Sequence, residues 1–541
     1  MGFILNDRRQ QKLLGYCLSD FVTKNDKSHM VIDIVSKLDL TELYNRYSSQ
    51  GNDAYDPKTL LATWFFAYSE GESSTRKIEN LCRYELRFIY VSADLRPDHT
   101  TLSRFRKRHL DLMADYFVQI LLLAKEAGIS DFKEISIDGT KIKASCSKKQ
   151  SHKEDQLNRK IEAIRRDIAE YMSRCDLAEE EDDIEDLESI RNKIEKLKKK
   201  EKKLVECKAG LKERKEELKP EHRKNHQINI IEPEARFMPK SDGPSYNAQA
   251  AVDSVTNFIV ANDVVTDPND QNQFSKMHQK SEKNLGSNSH RKYDADAGFH
   301  SLEQLEYVNE EGIDAVIADP TPKNRSKNNS PTNMETILHK GHKVERSDFI
   351  YHYEEDYYEC PAGKKLNPLC NYKRGKSHGK IYQCLNCVED IPIWDSDCPL
   401  IDQCLPGSSK TKLRRLYRDD REILAENMND KLQTDEAKSR LKLRATSVEP
   451  VFGNIKQNLG YRRFSLRGLE QVKGEFNLMS IAHNLNVLFN LIAKDRFRFI
   501  VFVQYYRNYC QILWANLELI LIIQVVIKNI YVRRRIYKPV P

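Results

Sequence analysis

The sequence, 541 residues long, predicts an α/β fold preceded by an all-helical N-terminal part. Three observations lead to this prediction. Apolar runs of helical character dominate residues 1–130, strand-like alternation begins near Glu134, and strand-like and helix-like segments then follow one another to about residue 318. Such a pattern is typical of an α/β fold. A chain of this length can bury a sizeable core and should hold more than one domain.

The N-terminal part, residues 1–130, begins its clearest helix at Asp56 and Pro57, which suit the N-cap and the first helical position before the apolar run 60–68. Residues 97–108 combine a turn, a polar cap and a basic helix. This combination favours a helix-turn-helix that binds DNA. A helical domain that only packs on the core is the alternative, and the sequence leaves both open.

The predicted core begins with Ile135 and Ile137, which alternate with polar residues before Asp138 and indicate a strand that ends at this aspartate. Strands are predicted at 246–253, 258–265, 291–295 and 315–318, and helices at 273–285 and 303–310. The strand 291–295 would deliver Asp296 to the end of the sheet.

Residues 151–226 form a charged insertion with narrow apolar seams. Apolar residues spaced by three or four carry these seams: Leu157, Ile161, Ile164, Ile168, Leu187, Ile190, Ile194 and Leu197. This spacing predicts a coiled coil, and the acidic run 179–183 predicts a turn and therefore an antiparallel hairpin. Contact with a partner or a second copy is the expected role, and a passive spacer is the alternative.

Six of the twelve cysteines lie between residues 360 and 404. A CxxC pair with further cysteines can form a tetrahedral zinc site, and the candidate ligands are Cys360, Cys384, Cys387, Cys398 and Cys404. Free buried thiols are the alternative. The pattern does not resemble a secreted disulfide framework, and the first residues lack a signal peptide, so we expect a cytoplasmic protein.

Charge is distributed unevenly although the net charge is only +7. Residues 436–473 contain nine Lys or Arg and three Asp or Glu, and residues 410–418 add five basic residues. A basic stripe next to carboxylates is the expected footprint of phosphate-backbone binding.

Three acidic residues stand out because of their surroundings. They are Asp138 in the run 136–144 (SIDGTKIKA), Asp296 in 294–299 (DADAGF), and Glu449 in the long run 448–485 that begins VEPVFGNIKQNLGYRRF. Acidic side chains from distant segments that converge in a core can hold two divalent cations, which together promote in-line displacement at a phosphodiester.

These three runs, in this order, resemble the catalytic segments of DDE-type insertion-sequence transposases, in the branch with a helical N-terminal domain and a cysteine-rich insertion. The resemblance covers roughly residues 30–493 and implies a ribonuclease-H-like catalytic core over 131–340 and 409–494, interrupted by the coiled coil and by a cysteine-rich insertion at 341–408. It also implies that Asp138, Asp296 and Glu449 bind two Mg²⁺ (or Mn²⁺) ions. The implied partner is double-stranded DNA, bound by a homodimer or a larger assembly.

Basic residues around Glu449 are expected to hold DNA. Lys456 lies two helical turns after Glu449 on the same face, and Arg462, Arg463 and Arg444 are further candidates. Arg444 stands five residues before Glu449, whereas related transposases have an arginine four residues before. Pro450 predicts that Glu449 lies at a helix start or kink.

Asp294 competes with Asp296 for the second catalytic position, because both share one face of the strand. The resemblance of the run around Asp296 to the family favours Asp296. Residues 495–541 form an apolar and basic tail outside the resemblance, whose apolar runs are too short for a membrane span.

A metal-dependent DNA nuclease and an inactive DNA-binding relic are the alternative functions.

Overall fold

The computed structural model describes residues 3–4, 17–48, 53–180, 184–216, 226–239, 241–320, 337–338, 343–375, 377–384, 398–405 and 414–494. The tail 495–541 and Cys387 lie outside the described residues. The chain combines helices and sheets in a mixed α/β fold, as predicted. No helix among the described residues is both long and apolar enough to cross a membrane.

The N-terminal part of the described chain is helical apart from two short parallel strands, β1 (Phe3–Ile4) and β2 (Ala54–Tyr55). Its helices are α1 (Lys27–Lys37), α2 (Thr41–Asn45), α3 (Pro57–Ser69), α4 (Thr75–Tyr84), α5 (Leu86–Val91), α6 (His99–His109) and α7 (Met113–Glu126). The predicted cap of α3 is confirmed, because the Asp56 carboxylate accepts hydrogen bonds from the backbone N–H groups of Lys58 and Thr59.

The central sheet has the order β10–β9–β3–β7–β8, and β6 pairs with the first residues of β7. Its strands are β3 (Glu134–Lys143), β6 (Arg236–Phe237), β7 (Pro244–Asp253), β8 (Ile259–Val265), β9 (Lys292–Ala295) and β10 (Asp314–Ile317). The strands β3, β9 and β10 are mutually parallel, whereas β7 runs antiparallel to β3 and to β8. The central sheet therefore consists of a parallel half (β10, β9 and β3) beside an antiparallel half (β7 and β8).

Asp138 does not lie at a strand end, so that expectation was wrong. The strand β3 continues to Lys143 because it pairs with β7 along its whole length. The shorter β9 pairs with β3 only as far as Ile137, opposite Ala295. Asp138 is therefore the first residue of β3 beyond the end of β9, and Asp296 follows β9 directly.

Helices cover both faces of this sheet. They are α10 (Phe274–Leu285), α11 (Leu302–Glu310), α13 (Glu422–Gln433), α14 (Asp435–Gly453) and α15 (Leu469–Lys494). The four-residue helix α12 (Ile401–Cys404) does not belong to this set. One buried apolar cluster extends from Met30 to Leu488. In it, α15 packs against α3, α7 and β8. The N-terminal helices thus share their core with the sheet.

The charged insertion contains α8 (Glu154–Glu180) and α9 (Ile184–Glu216), and the short strands β4 (Ser151–His152) and β5 (Ile228–Asn229) pair at its base. Lys215 pairs with Glu154 at 2.7 Å and Arg165 pairs with Glu201 at 2.6 Å, so the two helices run antiparallel. Predicted seam residues, including Leu157 and Ile161, are buried between them. Coiled-coil packing itself stays a prediction.

A second sheet follows the central one and is antiparallel throughout. Its strands, in spatial order, are β11 (Ile350–His352), β12 (Tyr357–Glu359), β13 (Lys365–Arg374), β14 (Ser377–Cys384) and β15 (Arg415–Asp419). Cys360, Cys384, Cys398 and Cys404 are partly buried against its small apolar core. This sheet therefore brings together cysteines that are far apart in the sequence.

Candidate active site

The face of β3 that carries Asp138 lies under α14 and the π-helical turn Asn454–Asn458 that follows it. Alternate strand residues share a face, so Ser136, Asp138 and Thr140 point the same way. Three contacts join this face to the helix: Ser447 Oγ to Ser136 Oγ at 3.4 Å, Arg444 Nη2 to Asp138 Oδ1 at 3.2 Å, and Lys456 Nζ to Thr140 Oγ1 at 2.6 Å. The helix is thereby fixed along the strand.

Asp138 and Asp296 are brought together by one arginine. Arg444 Nη2 lies 3.2 Å from Asp138 Oδ1 and 3.7 Å from Asp296 Oδ2. Burial raises the pKa of Asp138 to about 6, the Arg444 guanidinium opposes this rise, and the Asp296 carboxylate adds to it. The positive charge of Arg444 therefore partly neutralises two carboxylates that come from separate parts of the chain.

Asp294 has a different environment from Asp296. It is buried, and Arg440 Nε donates to Asp294 Oδ1 at 2.9 Å, while Arg440 Nη1 donates to Asp314 Oδ1 at 2.8 Å. Burial raises the pKa of Asp294 to about 6, and Arg440 opposes this rise. Asp296, by contrast, keeps 44% of its side chain exposed. Asp294 therefore joins β9, β10 and α14, whereas Asp296 faces solvent beside Asp138.

Glu449 lies on α14 with an exposed side chain, and it makes no hydrogen bond or ion pair with any residue that the structure describes. Glu449 was expected at a helix start or at a kink. The helix start is wrong, because α14 begins at Asp435 and continues through Pro450, and the kink stays a prediction. A π-helical turn follows four residues after Pro450. Within the described part of the chain, no three Asp, Glu, His or Cys side chains are already arranged to hold a metal ion.

Lys456 is half-buried next to Asp138. Burial lowers the pKa of Lys456, nearby Lys141 lowers it further, and the Asp138 carboxylate opposes this shift. Its ammonium group is fixed on Thr140, two residues along the strand from Asp138. A cation held here lies within reach of an anion that approaches Asp138.

Arg462 and Arg463 are exposed on a loop whose backbone is fixed against the end of β3. Lys143 N donates to Arg462 O at 3.3 Å, and Phe464 N donates to Lys143 O at 2.9 Å. The neighbouring Tyr461 and Phe464 side chains are buried. The two guanidinium groups are therefore held near the strand that carries Asp138.

Four of the five candidate zinc ligands lie in the described residues: Cys360, Cys384, Cys398 and Cys404. Burial raises the pKa of Cys404 to about 11, and the other three thiols add to the rise. The thiols are thus close enough to influence one another. Among the described residues, which include these four cysteines, no three His, Cys, Asp or Glu side chains are grouped so that they could hold a metal ion.

Several residues around the site were missed by sequence reasoning. Arg440 precedes Arg444 by one helical turn and could have been found from this spacing. Arg467 is a further exposed arginine on the basic loop. Glu475 gave no usable signal, because the groups that it contacts are not marked by any local sequence pattern.

Carboxylates gathered beside a basic helix and an arginine-bearing loop are typical of a site that acts on nucleic acid. Residues 359–489 match the family model described as "Transposase DDE domain", and residues 17–108 match the one described as "Transposase domain (DUF772)". The two matches indicate a DDE-type insertion-sequence transposase, in agreement with the resemblance found in the sequence. No curated protein matches the chain. The first match includes Glu449, and neither match includes Asp138 or Asp296.

Proposed function

We propose that the protein cleaves DNA strands at the ends of a mobile element and joins the freed 3′ hydroxyls to target DNA. The observation that carries this proposal is the pairing of Asp138 and Asp296 with Arg444, on the helix that also bears Glu449. In this proposal Asp138, Asp296 and Glu449 are the catalytic residues. A transposase acts on DNA, and the exposed arginines beside the carboxylates suit a phosphate backbone.

We further infer a ribonuclease-H-like core. Support comes from the strand order β10–β9–β3–β7–β8, in which the first three strands are parallel and β7 is antiparallel to both of its neighbours. The position of Asp138 also supports this fold, because it lies on the central strand where β9 ends. The coiled coil, by this proposal, contacts a second copy of the chain in an assembly on DNA.

The proposed cofactor is Mg²⁺ (or Mn²⁺), as two ions held by Asp138, Asp296 and Glu449. Carboxylate oxygens are the ligands that such hard cations prefer, so the donor set fits. Bound there, the ions would activate the attacking oxygen and stabilise the leaving oxygen of the phosphodiester. Arg444 supplies positive charge between Asp138 and Asp296, and the proposed ions would do the same.

The chain's own residues would orient the DNA. Lys456 is fixed on Thr140 and can donate to a phosphate oxygen next to Asp138. Arg462 and Arg463 can neutralise phosphates further along the strand. Zn²⁺ at the cysteine cluster stays a prediction, and its expected role is to stabilise the second sheet. An enzyme with this substrate would work in the cytoplasm.

Incubation with Mg²⁺ and DNA fragments that carry the sequences flanking the gene tests the proposed function. Joined products support a transposase, cleavage without joining indicates a plain nuclease, and a mobility shift without chemistry indicates an inactive relic. Asp138→Asn and Glu449→Gln should each abolish cleavage and leave DNA affinity largely unchanged. Glu436→Gln, an exposed acid on the same helix, is the matched control and should cleave normally. Normal cleavage by Asp138→Asn would contradict the proposal.

Replacement of Arg462 and Arg463 by Ala should weaken DNA binding equally for all sequences. Each neutralised phosphate releases counterions, so the slope of log affinity against log salt should fall by about 0.9 for every phosphate that the variant no longer neutralises. Affinities measured by fluorescence anisotropy at several salt concentrations would show this. Weaker binding restricted to one DNA sequence would instead mean that these arginines contact bases.

A further inference from the structure

The helical hairpin formed by α8 and α9 carries most of its positive charge on α9. Residues 193–203 of α9 contain seven lysines and two glutamates. Residues 165–174 of α8, which face them through the ion pair of Arg165 with Glu201, contain three arginines and two acids. The excess of positive charge in this part of the hairpin therefore lies mainly on one helix.

Four of these lysines form a continuous stripe along α9, which we call the basic stripe. They are Lys196, Lys199, Lys200 and Lys203, and spacings of three, four and seven residues place them on one face of the helix. All four side chains are exposed. Lys199 pairs with Glu195 at 2.5 Å, whereas the other three form no ion pair with any residue that the structure describes. The positive charge of the stripe is thus largely unneutralised.

The basic stripe opposes the stability of the helix that carries it. Like charges four residues apart destabilise a helix, and Lys196 with Lys200 and Lys199 with Lys203 are two such pairs. The hairpin is held together elsewhere, by buried apolar side chains such as Leu204. A helix that served only as a spacer would gain stability from acids at these positions. An external polyanion would remove the repulsion between the lysines.

The base of the hairpin is joined to the loop 461–468, which presents Arg462 and Arg463 and is called here the arginine loop. Arg214, in the last turn of α9, donates to the backbone oxygen of Pro233. The neighbouring Glu232 carboxylate accepts from Gly468 N, at the end of the arginine loop, at 2.6 Å. The hairpin therefore starts beside the loop to which the proposed function assigns phosphate contacts.

We propose that the basic stripe binds the phosphate backbone of duplex DNA that extends beyond the arginine loop. At a rise of 1.5 Å per residue, Lys203 and Lys196 lie about 16 Å and about 27 Å along α9 from Arg214. A duplex that runs along α9 would therefore meet the stripe about five to eight base pairs away from the base of the hairpin, at 3.4 Å per base pair. The proposal rests on the proposed function, because it takes DNA as the molecule held at the arginine loop.

Contact of the hairpin with a second copy of the chain would leave the basic stripe accessible. The large apolar side chains exposed on the hairpin are Met172 and Leu177 on α8 and Val205 on α9. Val205 follows Lys196 by nine residues, which is two and a half helical turns and therefore the opposite side of α9. An apolar contact through these side chains and a DNA contact through the stripe use different surfaces.

A triple variant of the full-length protein, Lys196→Gln/Lys200→Gln/Lys203→Gln, tests the proposal in DNA titrations followed by fluorescence anisotropy. The slope of log affinity against log salt should fall by about 0.9 for each lost phosphate contact, and affinity at about 0.1 M salt should fall at least about tenfold. An unchanged slope and affinity would overturn the proposal.

Lys198→Gln/Lys202→Gln/Lys212→Gln is the matched control, because it removes the same charge from exposed positions on other faces of α9. Its affinity and slope should stay close to those of the unmodified protein. Equal losses in both variants would overturn the proposal, since net charge rather than the stripe would then account for them. Thermal unfolding should occur at the same or a higher temperature in the stripe variant, because its like-charge pairs are gone. A lower unfolding temperature would assign the stripe a role inside the fold.

Failure of this proposal can be distinguished from failure of the proposed function. Tight DNA binding by the unmodified protein, with an unchanged salt slope in the stripe variant, means that only the role of the stripe is wrong. Absence of DNA binding by the unmodified protein contradicts both. Sedimentation of the DNA-free proteins covers the remaining alternative. A stripe variant that binds DNA normally but forms a smaller assembly would show that the stripe contacts a second copy, and would overturn the proposal.

Discussion

Asp296→Asn should abolish Mg²⁺-dependent DNA cleavage and leave thermal unfolding nearly unchanged. The side chain is 44% exposed, and its ion pair with Arg444 is long, at 3.7 Å, so its removal disturbs little packing. The substitution does take a charge from the proposed metal site. Metal ions supply several kcal/mol of transition-state stabilisation, so cleavage should fall by about 10³-fold or more. Cleavage rates and calorimetric unfolding of the same preparation measure both effects.

Asp294→Asn, two residues earlier, is the matched comparison. It should retain DNA cleavage but lower the stability of the fold. Its removal leaves the buried Arg440 guanidinium without its closest charge partner on β9. Removing one member of a buried pair costs about 3–5 kcal/mol, and the remaining contact with Asp314 favours the lower end. The variant should therefore unfold at a lower temperature. If Asp294→Asn stops cleavage without a drop in stability while Asp296→Asn cleaves normally, the second catalytic residue has been assigned to the wrong aspartate.

Much of the sheet could be predicted from local patterns. The strand 291–295 was predicted and is found at Lys292–Ala295, and the helix 273–285 is found at Phe274–Leu285. Such segments alternate polar and apolar residues with a clear period, and the period is a local property. The extent of β3 could not be predicted in this way, because it depends on pairing with β7 about a hundred residues later.

In the candidate site, too, some features could be predicted from local sequence patterns, whereas others depend on contacts between distant segments. Asp138 and Asp296 were found because each lies in a distinctive run, whereas the bridging role of Arg444 depends on how α14 lies across β3 and β9. The distinction between Asp294 and Asp296 also required the structure, since only the position of Arg440 separates a buried ion pair from an exposed carboxylate.

Glu475→Gln should lower the stability of the fold and also weaken DNA binding. Glu475 is fully buried on α15, and it accepts hydrogen bonds from Ser465 N at 3.0 Å, Ser465 Oγ at 2.5 Å and Leu466 N at 2.9 Å. These donors belong to the loop that presents Arg462 and Arg463. A glutamine offers only one acceptor oxygen, and its amide N–H groups would face backbone N–H groups.

Leu466 N is a buried donor, and a buried donor left without a partner costs about 1–3 kcal/mol, so Glu475→Gln should lower the free energy of unfolding by about that amount. Tyr68 also donates to Glu475, at 3.4 Å, and Arg106 donates to Tyr68 and to Ser465, so the disturbance extends into the N-terminal helices. Glu470→Gln is the matched control, because Glu470 lies on the same helix with an exposed side chain that pairs with Lys473. Its effect should stay within about 0.5 kcal/mol.

Urea unfolding and DNA affinity, measured on both variants, decide whether Glu475 positions the arginine loop. Positioning predicts that Glu475→Gln weakens DNA binding even at temperatures where the variant is fully folded, because the backbone of Ser465 and Leu466 is no longer fixed. It also predicts that the salt dependence falls toward that of the protein without Arg462 and Arg463, since the loop then no longer holds both guanidinium groups against the phosphates. Lower stability with unchanged DNA affinity would show that Glu475 only stabilises the fold, and that the contacts of Lys143 with Arg462 and Phe464 are sufficient to hold the loop.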